Sequence, residues 1–410
     1  MSSVEPPSKN AGRSQVIFLA LCAIGLFAIL SSTMSKNPVL KLFASSLGTP
    51  DSWTGFVAAA STIPGILVSL PAGSLSDVFG RRKMLLASSI VFASAPFFYL
   101  LITSWWQLVL VRFYHGFATA IFVPIANATI VELFPSRKGE RISSFSSATM
   151  VGRGIAPFLG GYILSVTNSN FHDLYLTVGI AGLTAFIVGI PLLTKRDAAR
   201  ESIEKRSTAL AIIRGWGSLA RNRNIQMVGF VEAVQYYTYG AVEYFLVGYL
   251  KDVIGLNSLL IGILSGSYIV VLMATKPLMG ALSDRVGRRT PIALGAVIMG
   301  VPLAAIPLSA NFIAILVLTA IYGFGFAIVT SSTPALASEL VPKTLLGTSM
   351  GFLSTIMDVG QTLGPVVCGF ILAANLGYAG VFLSLTILLI GSSILFLISG
   401  IGKSVSTKAI

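Results

Sequence analysis

Apolar and polar positions alternate on a coarse scale along this chain: runs of mostly apolar residues are separated by short polar connections. A helix rising about 1.5 Å per residue needs about 20 such residues to cross the roughly 30 Å hydrocarbon layer of a bilayer. Twelve runs have about that length, at 14–32, 53–76, 84–102, 105–131, 142–166, 174–194, 225–250, 258–283, 291–308, 312–338, 346–373 and 378–400. None shows the period-2 alternation of a barrel strand, so the pattern predicts an all-α polytopic membrane protein of twelve transmembrane helices. The first run turns polar from Ser31 through Lys36 and Asn37 to Lys41, although Leu42, Phe43 and Leu47 still lie ahead. That predicts a long helix kinked near Pro38, with its polar side toward an aqueous cavity.

The runs fall into two similar sets. Gly73-Ser-Leu-Ser-Asp77-Val-Phe-Gly80-Arg81-Arg82-Lys83 returns as Gly280-Ala-Leu-Ser-Asp284-Arg285-Val-Gly287-Arg288-Arg289, 207 residues later. The same offset carries Leu47-Gly48 onto Ile254-Gly255, Gly55 onto Gly262, Gly116 onto Gly323 and Glu132-Leu133-Phe134-Pro135 onto Glu339-Leu340-Val341-Pro342. A gapless match of this extent predicts two tandem copies of one six-span unit, hence two pseudo-symmetric bundles. The predicted organisation is a tail at 1–13, a bundle at 14–194, a hydrophilic linker at 195–224, a second bundle at 225–400 and a tail at 401–410.

Composition agrees with a membrane solvent: 54% of residues are hydrophobic, 10% are charged, and mean hydropathy is +0.85. The net charge of +13 is not spread as a nucleic-acid-binding face. Of the 28 basic residues, 22 fall in alternate connections and the tails, eight of them in the linker. By the positive-inside rule both termini and the linker are expected in the cytoplasm, in a plasma membrane. Cys22 and Cys368 lie far apart in apolar surroundings, so no disulfide scaffold or metal cluster is indicated. Without a nucleotide loop or a His-Glu-x-x-His pattern, the chain is not expected to be an enzyme or to carry a cofactor.

Gly73-x-Leu-x-Asp77-x-x-Gly80-Arg81-Arg82-Lys83 resembles the loop 2–3 signature of the major facilitator superfamily, and Gly280 to Arg289 resembles its weaker second copy. The likeness extends to span number, linker and duplication, and implies the twelve-helix fold of that superfamily. Physically, Gly73 and Gly80 allow close approach and a tight turn, and Asp77 can pair with Arg81. Glu132 can pair with Arg81 or Arg82, and Glu339 with Arg288 or Arg289. Such contacts, Asp284 included, would form a latch made in one state and broken in another. A solvated loop obeying charge sidedness explains the arginines, but not the repeated Asp and Gly positions. The run Leu108-x-x-x-Arg112-x-x-His115-Gly116 and the stretch Gly152-Arg153-Gly154-Ile-Ala156-Pro157-Phe-Leu-Gly160-Gly161 resemble signatures of the twelve-span drug:proton antiporters. The family pattern favours glutamine at His115 and glycine at Ala156. The resemblance implies that Arg112 influences protonation of an acidic partner. His115 either titrates or serves as a hydrogen-bonding substitute.

Charges inside a span mark function by default, because a charge left in lipid costs at least about 2.5 kcal/mol. Asp358, near the middle of run 346–373, is the strongest proton-binding candidate; a fixed salt bridge to Arg153 is the alternative. Glu232 and Glu243, eleven residues apart and so nearly on one helical face, flank Gln235-Tyr236-Tyr237-Thr238-Tyr239. Glu232, Glu243, His115 and Arg112 complete the proton-coupling candidates. Arg153, Gln235, Tyr236, Tyr239, Asn37 and Gln361 are the substrate-binding candidates, and at least one of the clustered tyrosines must face away from the path.

The expected function is therefore secondary active transport by a monomer among membrane lipids. The leading expectation is export of small hydrophobic or amphipathic compounds by proton exchange, with the proton gradient as the driving force. The alternatives are uptake of an anionic metabolite or sugar-like solute, contacted by Arg153, Arg112 and Lys36, and a non-transporting membrane receptor.

Overall fold

A computed structural model of the chain describes residues 9–68, 80–134, 137–194, 217–342 and 345–402. Gly73, Asp77 and residues 195–216 of the linker lie outside them. The helices follow the apolar runs. The first half holds α1 (Lys9–Met34), α2 (Val39–Ser46), α3 (Asp51–Ala59), α4 (Ile63–Val68), α5 (Arg81–Tyr99), α6 (Trp105–Leu133), α7 (Lys138–Val166) and α8 (Phe171–Thr194). The second holds α9 (Arg223–Gly248), α10 (Ser258–Val286), α11 (Arg289–Ala305), α12 (Phe312–Leu340), α13 (Leu346–Ile371) and α14 (Gly377–Ser399). Span 1 is α1 with α2, α3 and α4 belong to span 2, and α5 to α14 are spans 3 to 12.

By length and apolarity alone, seven described stretches qualify as membrane-crossing, one of which, Leu346–Ser399, contains two spans. α9 falls short because Glu232, Gln235, Thr238 and Glu243 are buried among other helices rather than offered to lipid. The outward surface of the bundle is apolar, with Leu19, Leu110, Ile187, Leu278, Leu294 and Ile387 all more than half exposed.

Two breaks in the helices bear on the site. α1 ends at Met34 and α2 resumes at Val39, which is the interruption expected near Pro38. Run 53–76 is not the continuous helix its apolarity suggests, because a turn at 60–62 separates α3 from α4. Pro64 accounts for it: proline has no N–H to donate and its ring clashes with the carbonyl four residues back, at Ala60. Arg81, Arg82 and Lys83 likewise do not lie in a loop. Gly80 takes φ +87°, and the helix of span 3 starts at the next residue. Its repeat equivalent Gly287 takes φ +85°, a left-handed conformation that a side chain would strain. The equivalence extends to caps: the Ser104 side chain takes part in a capping box with Gln107, and Asn311, 207 residues on, accepts from the Ala314 N–H.

The halves meet along two equivalent seams, α3 on α13 and α7 on α10. A Cβ on Gly55 would sit 2.2 Å from the Pro365 carbonyl oxygen, and one on its equivalent Gly262 would sit 2.6 Å from the Pro157 carbonyl oxygen. Only glycine permits backbones this close. Both seams are tight at the end of the bundle away from the chain termini, here called the far end. There Met34, Leu40, Phe43, Tyr99 and Tyr175 of the first half share one apolar core with the second half. At the terminal end the first half has a separate core of Phe18, Leu21, Phe92, Phe122 and Phe145. Among the described residues, the apolar core that the halves share lies at the far end.

Candidate transport site

A cavity of about 320 Å³ lies between the halves at mid-depth. The two helix breaks give it polar walls. The interruption of span 1 holds Lys36 and follows Ser32 and Thr33, and the turn in span 2 presents Ser61 and Thr62; all five line the cavity. Spans 4 and 5 add Arg112, His115 and Arg153, span 7 adds Tyr236, Tyr239 and Glu243, and span 11 adds Ser354, Asp358 and Gln361. Toward the terminal end the lining becomes apolar, with Ile29, Val123, Pro124 and Met357.

Charge is concentrated in this space. Lys36 forms an ion pair with Glu243, with side chains 17% and 5% exposed. Arg112, only 2% exposed, donates from Nη2 to Ser61 Oγ, while its Nε has no hydrogen-bond partner among the described residues. His115 is equally buried; Tyr99 Oη lies 3.4 Å from its Nδ1, and its Nε2 has no partner among the described residues. Arg153 is exposed to the cavity. Asp358 faces Gly65 across the junction, its carboxylate 2.6 Å from where a Cβ on Gly65 would lie. Arg153 and Asp358, weighed as a fixed salt bridge, both line the cavity.

Polar contacts across the junction close the far end. Thr54 Oγ1 and Tyr244 Oη are 2.8 Å apart, Thr62 Oγ1 and Thr362 Oγ1 are 2.6 Å apart, and Lys41 Nζ lies 3.7 Å from Asp252. Asn37 Nδ2 donates to Tyr268 Oη at 3.1 Å.

Of the residues singled out from sequence, Asp358, Glu243, His115, Arg112, Arg153, Tyr236, Tyr239 and Gln361 are brought together around this cavity. Three are not. Asn37 is fully buried in its bond to Tyr268. Glu232 accepts from Gln235 Nε2 and Thr333 Oγ1 in a packed contact between α9 and α12, so neither Glu232 nor Gln235 lines the cavity. Eleven residues put Glu232 and Glu243 on one helical face, but that face passes from the cavity into the α12 contact along its length. Tyr237 is the tyrosine turned away: its backbone packs against Gly364 of α13.

The residues expected to form a latch, Gly80, Arg81, Arg82, Glu132, Asp284, Arg288 and Glu339, stand apart from the cavity, at the terminal end. Arg81 Nη1 lies 2.6 Å from Glu132 and donates to the Ala128 carbonyl at 2.8 Å. Arg288 pairs with Asp284 and, at 2.9 Å, with Glu339. The two arginine–glutamate pairs occupy equivalent positions in the repeat.

Sequence reasoning missed Ser61 and Thr62, for which Pro64 was the signal. It also missed the partner of Lys36, which the 207-residue offset gives directly, since Lys36 falls on Glu243.

The family model described as Major Facilitator Superfamily matches residues 18–247 and 228–407. The chain is 26% identical over 359 residues to the multidrug resistance protein MdtG of Proteus mirabilis, covering 84% of this chain and 86% of that protein. It is 24% identical over 360 residues to the cis,cis-muconate transport protein of Acinetobacter baylyi, covering 86% of each. Among solved structures, the nucleoside transporter NupG superposes with a TM-score of 0.77 at 14% identity, over 93% of this chain and 98% of that one. With the family model matching both halves, this chain belongs to the Major Facilitator Superfamily of membrane transporters.

Proposed function

We propose that this transporter exports small hydrophobic or amphipathic organic compounds in exchange for protons, by alternating access at the cavity between its two repeats. The observation that supports it is the cavity itself: a partly polar chamber at mid-membrane, holding Asp358 and the Lys36–Glu243 pair, where two rockable bundles meet. The charge distribution supports placing the termini in the cytoplasm of a plasma-membrane protein, so that the state described is closed outward and parted inward. In this reading Asp358 loads a proton from outside and releases it inside as access alternates. Tyr236, Tyr239 and Gln361 touch the cargo, and the arginine–glutamate pairs at the terminal end latch one of the two states. The carrier works as a monomer in lipid, with the proton gradient in place of a cofactor. Multidrug resistance proteins among the relatives support export. The test is efflux from proteoliposomes of a compound first found by thermal stabilisation of the purified protein. Acidifying the side opposite the termini should speed efflux, and efflux indifferent to the gradient contradicts antiport.

A second reading, uptake of an anionic metabolite or sugar-like solute by the same fold, is favoured by Arg153 in the cavity and by a relative named for muconate transport.

A further inference from the structure

We propose that the cargo recognised in this cavity is an organic anion, a carboxylate on a flat apolar body, with Arg153 as the residue that receives the carboxylate. The proposal rests on the reading of the cavity as the transport site, and holds for either direction of transport.

Three cationic side chains, Lys36, Arg112 and Arg153, and two carboxylates, Glu243 and Asp358, line the cavity. Lys36 and Glu243 satisfy each other. Arg112 is held by Ser61. Arg153, exposed to the cavity, makes no ion pair or hydrogen bond among the described residues. A guanidinium is always charged, so unlike a lysine it cannot relieve its position by losing a proton. At mid-membrane depth it needs an anion, and its planar fork fits a carboxylate through two parallel hydrogen bonds. Arg112 Nε and, when it carries the ring proton, His115 Nε2 are buried donors beside the cavity that also lack acceptors among the described residues. A cationic or neutral cargo would leave the charge of Arg153 unmet; a carboxylate supplies both the counter-charge and the acceptors.

The rest of the lining sets the body. Tyr239 stacks on Phe326 with ring centroids 5.1 Å apart and planes 12° apart, and Tyr236 meets both rings edge-on. This braced aromatic wall faces the cavity through Tyr236 and Tyr239, with Ile29, Val123 and Pro124 among its apolar lining. A flat, unsaturated body can lie on the tyrosine rings with its carboxylate toward Arg153.

Three probes share one body and differ only in the head group: cinnamate, cinnamamide and cinnamylamine. Equilibrium dialysis of the purified full-length protein against labelled cinnamate, with the other two as competitors, tests the assignment. Cinnamate should bind at least tenfold more tightly than either competitor. Arg153→Gln should weaken cinnamate at least tenfold, and Arg153→Lys by less, with thermal unfolding reporting that both variants fold. Equal or tighter binding of the amine or the amide, no cinnamate binding at millimolar concentration, or unchanged binding to a folded Arg153→Gln would each overturn the proposal. If Arg153→Gln does not fold, the head-group comparison on the unaltered protein still decides. Dialysis involves no gradient, so cinnamate that binds but is never carried across a membrane contradicts the transport reading and not this one. Transport with no head-group preference contradicts this one alone.

Discussion

Lys36 of span 1 and Glu243 of span 7 are the same position in the two repeats, 207 residues apart, and they form an ion pair with each other. A residue that touches its own symmetry equivalent lies at the symmetry axis. The pair therefore sits on the pseudo-twofold axis, at one of the positions where the two halves differ in charge. Breaking a buried pair from one side leaves an uncompensated charge, at a cost of about 3–5 kcal/mol. Lys36→Gln and Glu243→Gln should each lower the thermal unfolding midpoint of the purified protein by several degrees. The double variant should recover most of that loss. The exchange Lys36→Glu with Glu243→Lys should retain the stability, because the two positions are equivalent. Additive losses in the double variant would show that the two side chains do not act as a pair.

Asp358 is assigned the coupling proton because it is a carboxylate that lines the cavity near the middle of span 11. Asp358→Asn should abolish acceleration by a proton gradient while leaving exchange of labelled for unlabelled cargo measurable. The gradient loads a carboxylate that faces the acidic side, so wild-type efflux should rise as that side is acidified, and the variant should show no such rise. A variant with the full pH dependence moves the coupling proton to another residue.

The far end closes only because Gly55 and Gly262 let the seams pack. Gly55→Leu would drive carbons into the Pro365 carbonyl, 2.2 Å from the position of a Cβ. The variant should disfavour the state described here, so a cysteine placed at Thr54 should react with maleimide at least several-fold faster than in the protein with Gly55. Unchanged reactivity would mean that this seam opens elsewhere.

At the terminal end the Arg288–Glu339 and Arg81–Glu132 pairs are partly exposed, with Glu132 63% accessible at its side chain. Such pairs contribute roughly 0.2–1 kcal/mol, so neutralising one should change turnover by about fivefold at most. Glu339→Gln is expected to alter the transport rate within that range with little change in cargo affinity. A change confined to affinity would remove the latch assignment.

The sequence carried the fold because a membrane leaves few choices: apolar length sets the spans, charge sets the expected sidedness, and a gapless repeat sets the symmetry. It also marked most of the cavity, since Arg112, Arg153, Glu243 and Asp358 stand out as charges in apolar runs. It misplaced Glu232 and Gln235 because helical phase gives a face and not what that face meets, which changes from cavity to α12 within three turns. It missed the polar turn at Ser61–Thr62 because apolarity alone made run 53–76 continuous, although Pro64 marked the break. Asn37 was drawn into the site by its polarity, yet it is buried outside the cavity lining, with its amide nitrogen donating to Tyr268.

The central claim is that this cavity is exposed to each side of the membrane in turn. Ser354 lines it from α13, and the native Cys22 and Cys368 are free thiols that can be replaced by serine. In that background, labelling of Ser354→Cys by a membrane-impermeant maleimide, in right-side-out and inside-out vesicles with and without a proton gradient, measures access directly. Labelling from the cytoplasmic side at rest, and from the outside as well once the gradient drives cycling, is the predicted result. A thiol reachable from one side alone under every condition would contradict alternating access at this site.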